Sequence, residues 1–261
     1  MINTVEQFKR QIYETRLIPC LRVNNFIMNA IEKEVQTLVK NYKISEECIK
    51  KHHTDFTKPY GAVTQSCLYN TTGNILDFST DYKMPKIGKF FIDPNFKNIH
   101  HIVKLFQNNL INFWLFGISK NSGSSPHKVI RTNDEKKFRL RFHLPVITNS
   151  SAWVMLDWKK FWLKRGIIYF FNDGCIHTAG NDGEQTRYHL IWDCMLDDKL
   201  FDTVLNVNNN NSPDPKLVSR IPKEEIKDLM YSEPCEETDY EIDKIGFRKR
   251  LVRMLKSKIS K

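Results

Sequence analysis

Gly166–Asp193, GIIYFFNDGCIHTAGNDGEQTRYHLIWD, is the stretch whose reading decides the fold. Gly166–Phe171 is a short apolar run bounded by turn residues, the pattern of a buried strand. Asn172-Asp173-Gly174 supplies turn chemistry. His177 follows just past the turn, and a loop punctuated by Gly180 and Gly183 leads to a second strand, Thr186–Asp193. Arg187 lies ten residues after His177, near the start of that strand. An imidazole can hold a metal, and a guanidinium can clamp a carboxylate through two parallel hydrogen bonds. The two side chains are therefore suited to one ligand that is both metal-bound and anionic.

Working outward, Phe138–Thr148, FRLRFHLPVIT, alternates strictly. Phe138, Leu140, Phe142, Leu144 and Val146 fall on one face, and Arg139, Arg141, His143 and Pro145 on the other. Thr186–Asp193 repeats the split, with Arg187, His189, Ile191 and Asp193 opposite Tyr188, Leu190 and Trp192. Two arrangements fit. The basic face is solvated, as in an ordinary antiparallel sheet, or the apolar face lies under helices and the basic face lines a polar lumen. Basic residues without interleaved acids on Phe138–Thr148 point, in the second case, to an anion site.

Further strands are expected at Gly61–Tyr69, Lys89–Ile92, Phe113–Ser119 and Ala152–Trp158. Helices are expected at Thr4–Thr15, Asn25–Tyr42 and Asn98–Asn112, where apolar residues recur at helical spacing. His100 and His101 read as surface or packing residues of the last of these. Lys120–Pro126 is a loop ending on His127. His53-x-Asp55 has the spacing of a metal pair but sits in a polar loop.

At 261 residues, 41% hydrophobic and with 17 Phe, the chain can bury a full core. No apolar run approaches the roughly 20 residues of a membrane span. The start, MINTVEQFKRQIYE, has no apolar segment of the secretory kind, so a cytoplasmic location is expected. Six scattered cysteines without a CxxC pair read as free thiols. The net charge of +10 is concentrated in Lys244–Lys261, which holds eight Lys/Arg and no acid. That tail is a candidate surface for nucleic acid or an acidic partner, or a solvated helix docked on its own domain. Asn206–Pro215, NVNNNNSPDP, reads as a polar linker. The expected organisation is 1–205 as the main domain with its N-terminal helical region, 206–215 as linker, and 216–261 as a helical, basic extension.

The ordered set Ser-Pro-His127, Arg141-Phe-His143-Leu-Pro, Asn-Asp-Gly-Cys-Ile-His177 and Arg187 resembles the aspartyl/asparaginyl β-hydroxylase and proline-hydroxylase group of Fe(II)/2-oxoglutarate dioxygenases. The resemblance spans about Phe113–Leu196. It implies a mainly β fold, a double-stranded β-helix of the jelly-roll or cupin kind, with N-terminal helices packed outside. It implies His127 and His177 as iron ligands, and Arg187 as the partner of the far carboxylate of 2-oxoglutarate. Arg141 and His143 would also face the cosubstrate, and O2 would be consumed. Asp173 matches a turn acid ahead of the distal histidine.

Most members carry His-x-Asp, completing a two-histidine, one-carboxylate triad. Here the triplet is His127-Lys128-Val129. The aspartyl/asparaginyl β-hydroxylases also lack the carboxylate, and the resemblance implies water in its place. Alternatively Asp134 reaches in, a halide fills the position as in related halogenases, or the metal site is dead. The interval from His127 to His143 requires an insertion relative to the family; without one, His143 becomes the proximal ligand. His189 and Trp153 are further candidates for the site, and Trp158 and Tyr169 for the pocket wall. The implied activity is hydroxylation of an amino acid, amino-acid residue or related small metabolite, with release of succinate and CO2. Another oxidase on this scaffold, or a non-catalytic barrel binding through its tail, are the competing readings.

Overall fold

The computed structural model describes residues 4–12, 14–41, 59–60, 63–70, 72–75, 89–90, 94–128, 138–206 and 208–236. Among them the strands are, in order, β1 Leu17–Val23, β2 Pro59–Tyr60, β3 Val63–Asn70, β4 Lys89–Phe90, β5 Leu110–Ile118, β6 Ser122–Ser124 and β7 Arg139–Ile147. They continue with β8 Ala152–Leu156, β9 Lys159–Phe161, β10 Ile167–Phe171, β11 His177–Asn181, β12 Arg187–Met195, β13 Val218–Arg220 and β14 Ser232–Pro234. The helices are α1 Val5–Gln11, α2 Asn25–Asn41, α3 Lys97–Lys104 and α4 Lys223–Leu229, with a short helical turn over 198–205.

The strands form two antiparallel sheets. The larger runs β13-β1-β10-β7-β12-β5-β3-β4, and the smaller β14-β9-β8-β11-β6-β2. From β5 to β12 the chain keeps crossing between them. β5, β7, β10 and β12 lie in the larger sheet, and β6, β8, β9 and β11 in the smaller. Most strands therefore pair with partners distant in sequence, and residues far apart in the chain are brought into the space between the sheets.

The alternation on β7 is resolved by what covers each face. Leu140, Phe142, Leu144 and Val146 join Phe170, Leu190 and Trp192 in one core with Met28, Ile31, Val35 and Leu38 of α2 and Ile99 and Ile102 of α3. Trp192 lies 4.9 Å from the Phe106 ring and 5.8 Å from that of Phe142. Each such buried side chain contributes about 1.5–3 kcal/mol relative to exposure, which commits this face to the helices. The opposite face looks toward the smaller sheet, where Leu17, Ile167, Tyr169 and Phe171 pack on Val154, Leu156 and Phe161. His143, Arg187 and His189 are buried on that inner side. Of the two arrangements, the polar lumen is the one observed, not the solvated face.

Two devices hold the outer layer. Thr4 caps α1, its hydroxyl accepting from the Gln7 amide at 3.2 Å. Buried Glu34 of α2 caps α3: it accepts from the Asn98 and Ile99 amides at 2.9 and 2.8 Å and from the Asn98 side chain at 2.7 Å. Those amides have no intrahelical partner, and the positive end of the helix favours a carboxylate there.

Several expectations are corrected. The strand expected through Trp158 ends at Leu156, because Asp157 and Trp158 adopt left-handed φ of 44° and 61° and turn the chain into β9. Paired positive φ suits a tight hairpin. The helix expected over Asn98–Asn112 stops at Lys104, and Leu110 already begins β5. β1, which the apolar spacing does not single out, pairs with both β10 and β13. After the asparagine-rich stretch the chain pairs again with both sheets. Ser212 donates to the Val218 carbonyl, and Arg220 donates to the carbonyls of Asn211, Val204, Asp202 and Thr203. β13 then extends the larger sheet and β14 pairs with β9 in the smaller. Lys51–Asp55, Asp134 and the basic tail Lys244–Lys261 lie outside the described residues. No helix among the described residues is long and apolar enough to cross a membrane.

Candidate active site between the two sheets

β11 begins at His177, directly after the turn that closes β10. Asn172 fixes that turn: its side chain donates to the Ile12 and Thr15 carbonyls and accepts from the Gly174 amide. His177 and His127 form a two-way backbone bridge, with N–O distances of 2.8 and 2.9 Å. Their rings stand 4.2 Å apart, centroid to centroid.

Each ring is oriented in the same way. The Nδ1 of His127 lies 2.9 Å from the Ser125 carbonyl, and the Nδ1 of His177 lies 3.0 Å from the Cys175 carbonyl. A carbonyl only accepts, so Nδ1 carries the hydrogen and Nε2 keeps its lone pair. Tying one ring nitrogen to a carbonyl is how a ligating histidine is held in the right tautomer. Among the described residues no group of three His, Cys, Asp or Glu is arranged around a common point, so the pair stands without a third such residue there.

His143 stacks on Phe171 at 4.3 Å and 18°, and Phe171 in turn meets His177 edge-on at 5.4 Å. Neither ring nitrogen of His143 has a hydrogen-bond partner among the described residues. Further along the inner face, the His189 ring is 6.0 Å from His143, and its ring nitrogens are 3.3 Å from Nη1 of Arg187. Arg187 is 1% exposed. A file of polar groups thus runs from the histidine pair past Phe171 and His143 to a deeply buried guanidinium.

Burial pushes the imidazoles of His143, His177 and His189 well below the usual histidine range, and nearby positive charge adds to it. For His143 that charge comes from Arg141 and Arg187, for His177 from His127, and for His189 from Arg187. Desolvation penalises the charged form, so these rings are neutral at neutral pH, the state a metal ligand requires.

The basic residues of Phe138–Thr148 find acid partners outside that strand. Arg141 donates from Nε to Asp193 Oδ1 at 2.9 Å and from Nη2 to Asp193 Oδ2 at 3.1 Å. Its Nη2 also lies 3.5 Å from Asp173. Arg139 donates to Asp173 at 2.7 Å and stands 3.4 Å from Asp193. Both aspartates are fully buried. The acids come from the neighbouring strand β12 and from the His177 turn, so no inspection of β7 alone reveals them. Asp193 shares the polar face of its own strand with Arg187 and His189, which is the signal that could have found it.

Trp153 lies against Gly180 and donates to Asp182 at 2.8 Å, with Lys160 4.8 Å over its ring. Tyr169 is buried, its hydroxyl accepting from the Lys164 amide at 3.0 Å.

The family model for aspartyl/asparaginyl β-hydroxylase matches residues 28–196, and the chain belongs to that family. It is accordingly an enzyme of the hydroxylase type, an oxygenase. Among curated proteins none matches. Loosely similar solved structures include the viral collagen prolyl hydroxylase of Paramecium bursaria Chlorella virus-1 in its 2OG complex. It has 12% identity, covers 63% of this chain and 91% of that one, and gives a TM-score of 0.37. A 2OG-Fe(II) oxygenase-family oxidoreductase from Burkholderia pseudomallei has 9% identity, coverage of 76% and 95%, and a TM-score of 0.41. AviO1 from Streptomyces viridochromogenes Tue57 has 6% identity, coverage of 75% and 96%, and a TM-score of 0.45. At TM-scores below 0.5 these mark a loose likeness and carry nothing further.

Proposed function

We propose that this protein is an Fe(II)- and 2-oxoglutarate-dependent hydroxylase built on a double-stranded β-helix. Its substrate is an amino acid, an amino-acid residue or a related small metabolite. The repeated crossing of β5 to β12 between two antiparallel sheets supports the winding. One observation carries the function: His127 and His177, far apart in the chain, meet with rings 4.2 Å apart and both Nδ1 atoms tied to carbonyls, the tautomer that leaves Nε2 as the ligating nitrogen.

The donor set fits the metal. Neutral imidazoles suit ferrous iron, and two of them leave open positions. His127 and His177 would hold it, with His143 stacked on Phe171 close by. Arg187, buried and beside His189, would receive the far carboxylate of 2-oxoglutarate through its planar fork. His143, neutral and unpartnered among the described residues, would donate to or accept from the near end of the cosubstrate, beside Arg141. Bound iron and cosubstrate would supply oxidative decarboxylation with O2, yielding succinate and CO2 and oxidising a nearby C–H bond. The protein's part is to orient these groups and exclude water, which the apolar packing below the site does.

The test is succinate release by purified protein with Fe(II), 2-oxoglutarate and a panel of amino acids and peptides, with products read by mass. A hydroxylase adds one oxygen to one member of the panel. If neither Fe(II) nor 2-oxoglutarate binds by calorimetry, the proposal fails and a non-catalytic barrel takes its place.

A further inference from the structure

We propose that Asp193 is a positioning residue that sets the orientation of Arg141 toward the cosubstrate; this rests on the reading above in which Arg141 faces 2-oxoglutarate.

The guanidinium of Arg141 is constrained in two independent ways. Asp193 grips one edge through the Nε and Nη2 bonds of 2.9 and 3.1 Å. The Trp114 ring lies under its face, 5.2 Å from Cζ to the centroid. An edge contact stops the fork from rolling, and a face contact stops it from tilting. The carboxylate is itself held. Asn112 donates from Nδ2 to Asp193 Oδ2 at 3.2 Å and accepts the Asp193 amide at 3.0 Å. Asp193 and Asn112 are directly paired across β12 and β5, and Asp193 and Arg141 across β12 and β7. The chain of contacts therefore crosses three adjacent strands of the larger sheet and ends beside His143.

A purely structural role explains this poorly. A buried ion pair is weak evidence for stability, because desolvation offsets much of the attraction, and apolar residues of similar volume often serve as well. The rest of the inner face shows that apolar filling is available, since Tyr169 and Phe171 flank the same strand on β10. An aspartate in place of such filling makes sense if the cation it holds must keep a fixed direction. Binding sites need supporting residues that lock the rotamers of those touching ligand. Asp173 and Arg139 complete a balanced set of two acids and two cations, so Asp193 can hold Arg141 without leaving net charge buried.

The experiment is a double-mutant cycle on the full chain. It uses Asp193→Asn, Arg141→Lys and the pair, with 2-oxoglutarate binding measured by calorimetry in the presence of Mn(II) without oxygen. Metal affinity and thermal midpoint are read in parallel. Each single variant is expected to weaken 2-oxoglutarate binding about tenfold, in line with the loss of one well-oriented charged contact. Mn(II) affinity stays within twofold, and the pair is no worse than the weaker single variant, because both disturb one contact. Full cosubstrate affinity in Asp193→Asn, or additive losses in the pair, would overturn the inference. If the unsubstituted protein binds no 2-oxoglutarate, the functional reading falls and this role falls with it; that outcome is distinct from a variant matching a parent that does bind. Should Asp193→Asn fail to fold, Asp193→Glu keeps the charge and moves the grip by one methylene, and the same cycle decides the question.

Discussion

Replacing His143 by phenylalanine should stabilise the protein while impairing its site. His143 is buried, its ring stacks on Phe171, and both ring nitrogens lack partners among the described residues. A buried donor or acceptor left unsatisfied costs about 1–3 kcal/mol. The ring is neutral, so no ion pair is lost on substitution. Phenylalanine preserves the stack and removes both nitrogens, but its larger ring adds about 1 kcal/mol of crowding. With two nitrogens removed the balance is a gain of roughly 1–5 kcal/mol, at about 2–4 °C in thermal midpoint per kcal/mol for this chain length. Thermal unfolding of metal-free protein reads the gain, and calorimetry reads Fe(II) and 2-oxoglutarate. Iron affinity should persist while cosubstrate affinity falls. A loss of stability above about 1 kcal/mol would refute the orphaned-ring argument, and a loss of iron binding would make His143, not His127, the proximal ligand.

Acid should destabilise the chelator-treated protein. The folded state keeps His143, His177 and His189 from protonating, whereas in the unfolded chain each binds a proton near pH 6.5. The unfolded state therefore binds more protons below that pH, and stability falls as pH drops, by up to about 1.4 kcal/mol per pH unit per histidine until the folded values are reached. Denaturant titrations between pH 7.5 and 5 check the slope; a flat profile contradicts the burial argument. Gly180→Ala should cost about 1–3 kcal/mol. Its Cβ would meet the Trp153 indole at 2.4 Å, and that ring is anchored by Asp182, so a thermal midpoint equal to that of the parent would mean the indole can swing away. Glu34→Ala removes the acceptor of two α3 amides and should cost about 1–3 kcal/mol, read by chemical denaturation. A change below 0.5 kcal/mol would show that water replaces the cap.

The alternation of β7 and β12, the apolar run of β10 and the spacing of α2 are legible in sequence because they depend on local periods of two and 3.6 residues. The residues proposed to carry the site, His127, His177, Arg187 and His143, are legible by type and order. Their chemistry is local too: an imidazole or a guanidinium has the same donors wherever it stands.

What only the tertiary structure decided is where those groups meet and what balances them. Whether the basic face of β7 looks at water or at a second sheet depends on α2 and α3 covering the other side. That Arg141 answers to Asp193 and Asp173 depends on strands distant in sequence becoming neighbours. That the segment after the asparagine run closes as edge strands depends on open edges at β1 and β9. Pairing between strands is a long-range event, set by which surfaces are left to bury once the chain has crossed between the sheets, and a local period carries no record of the partner.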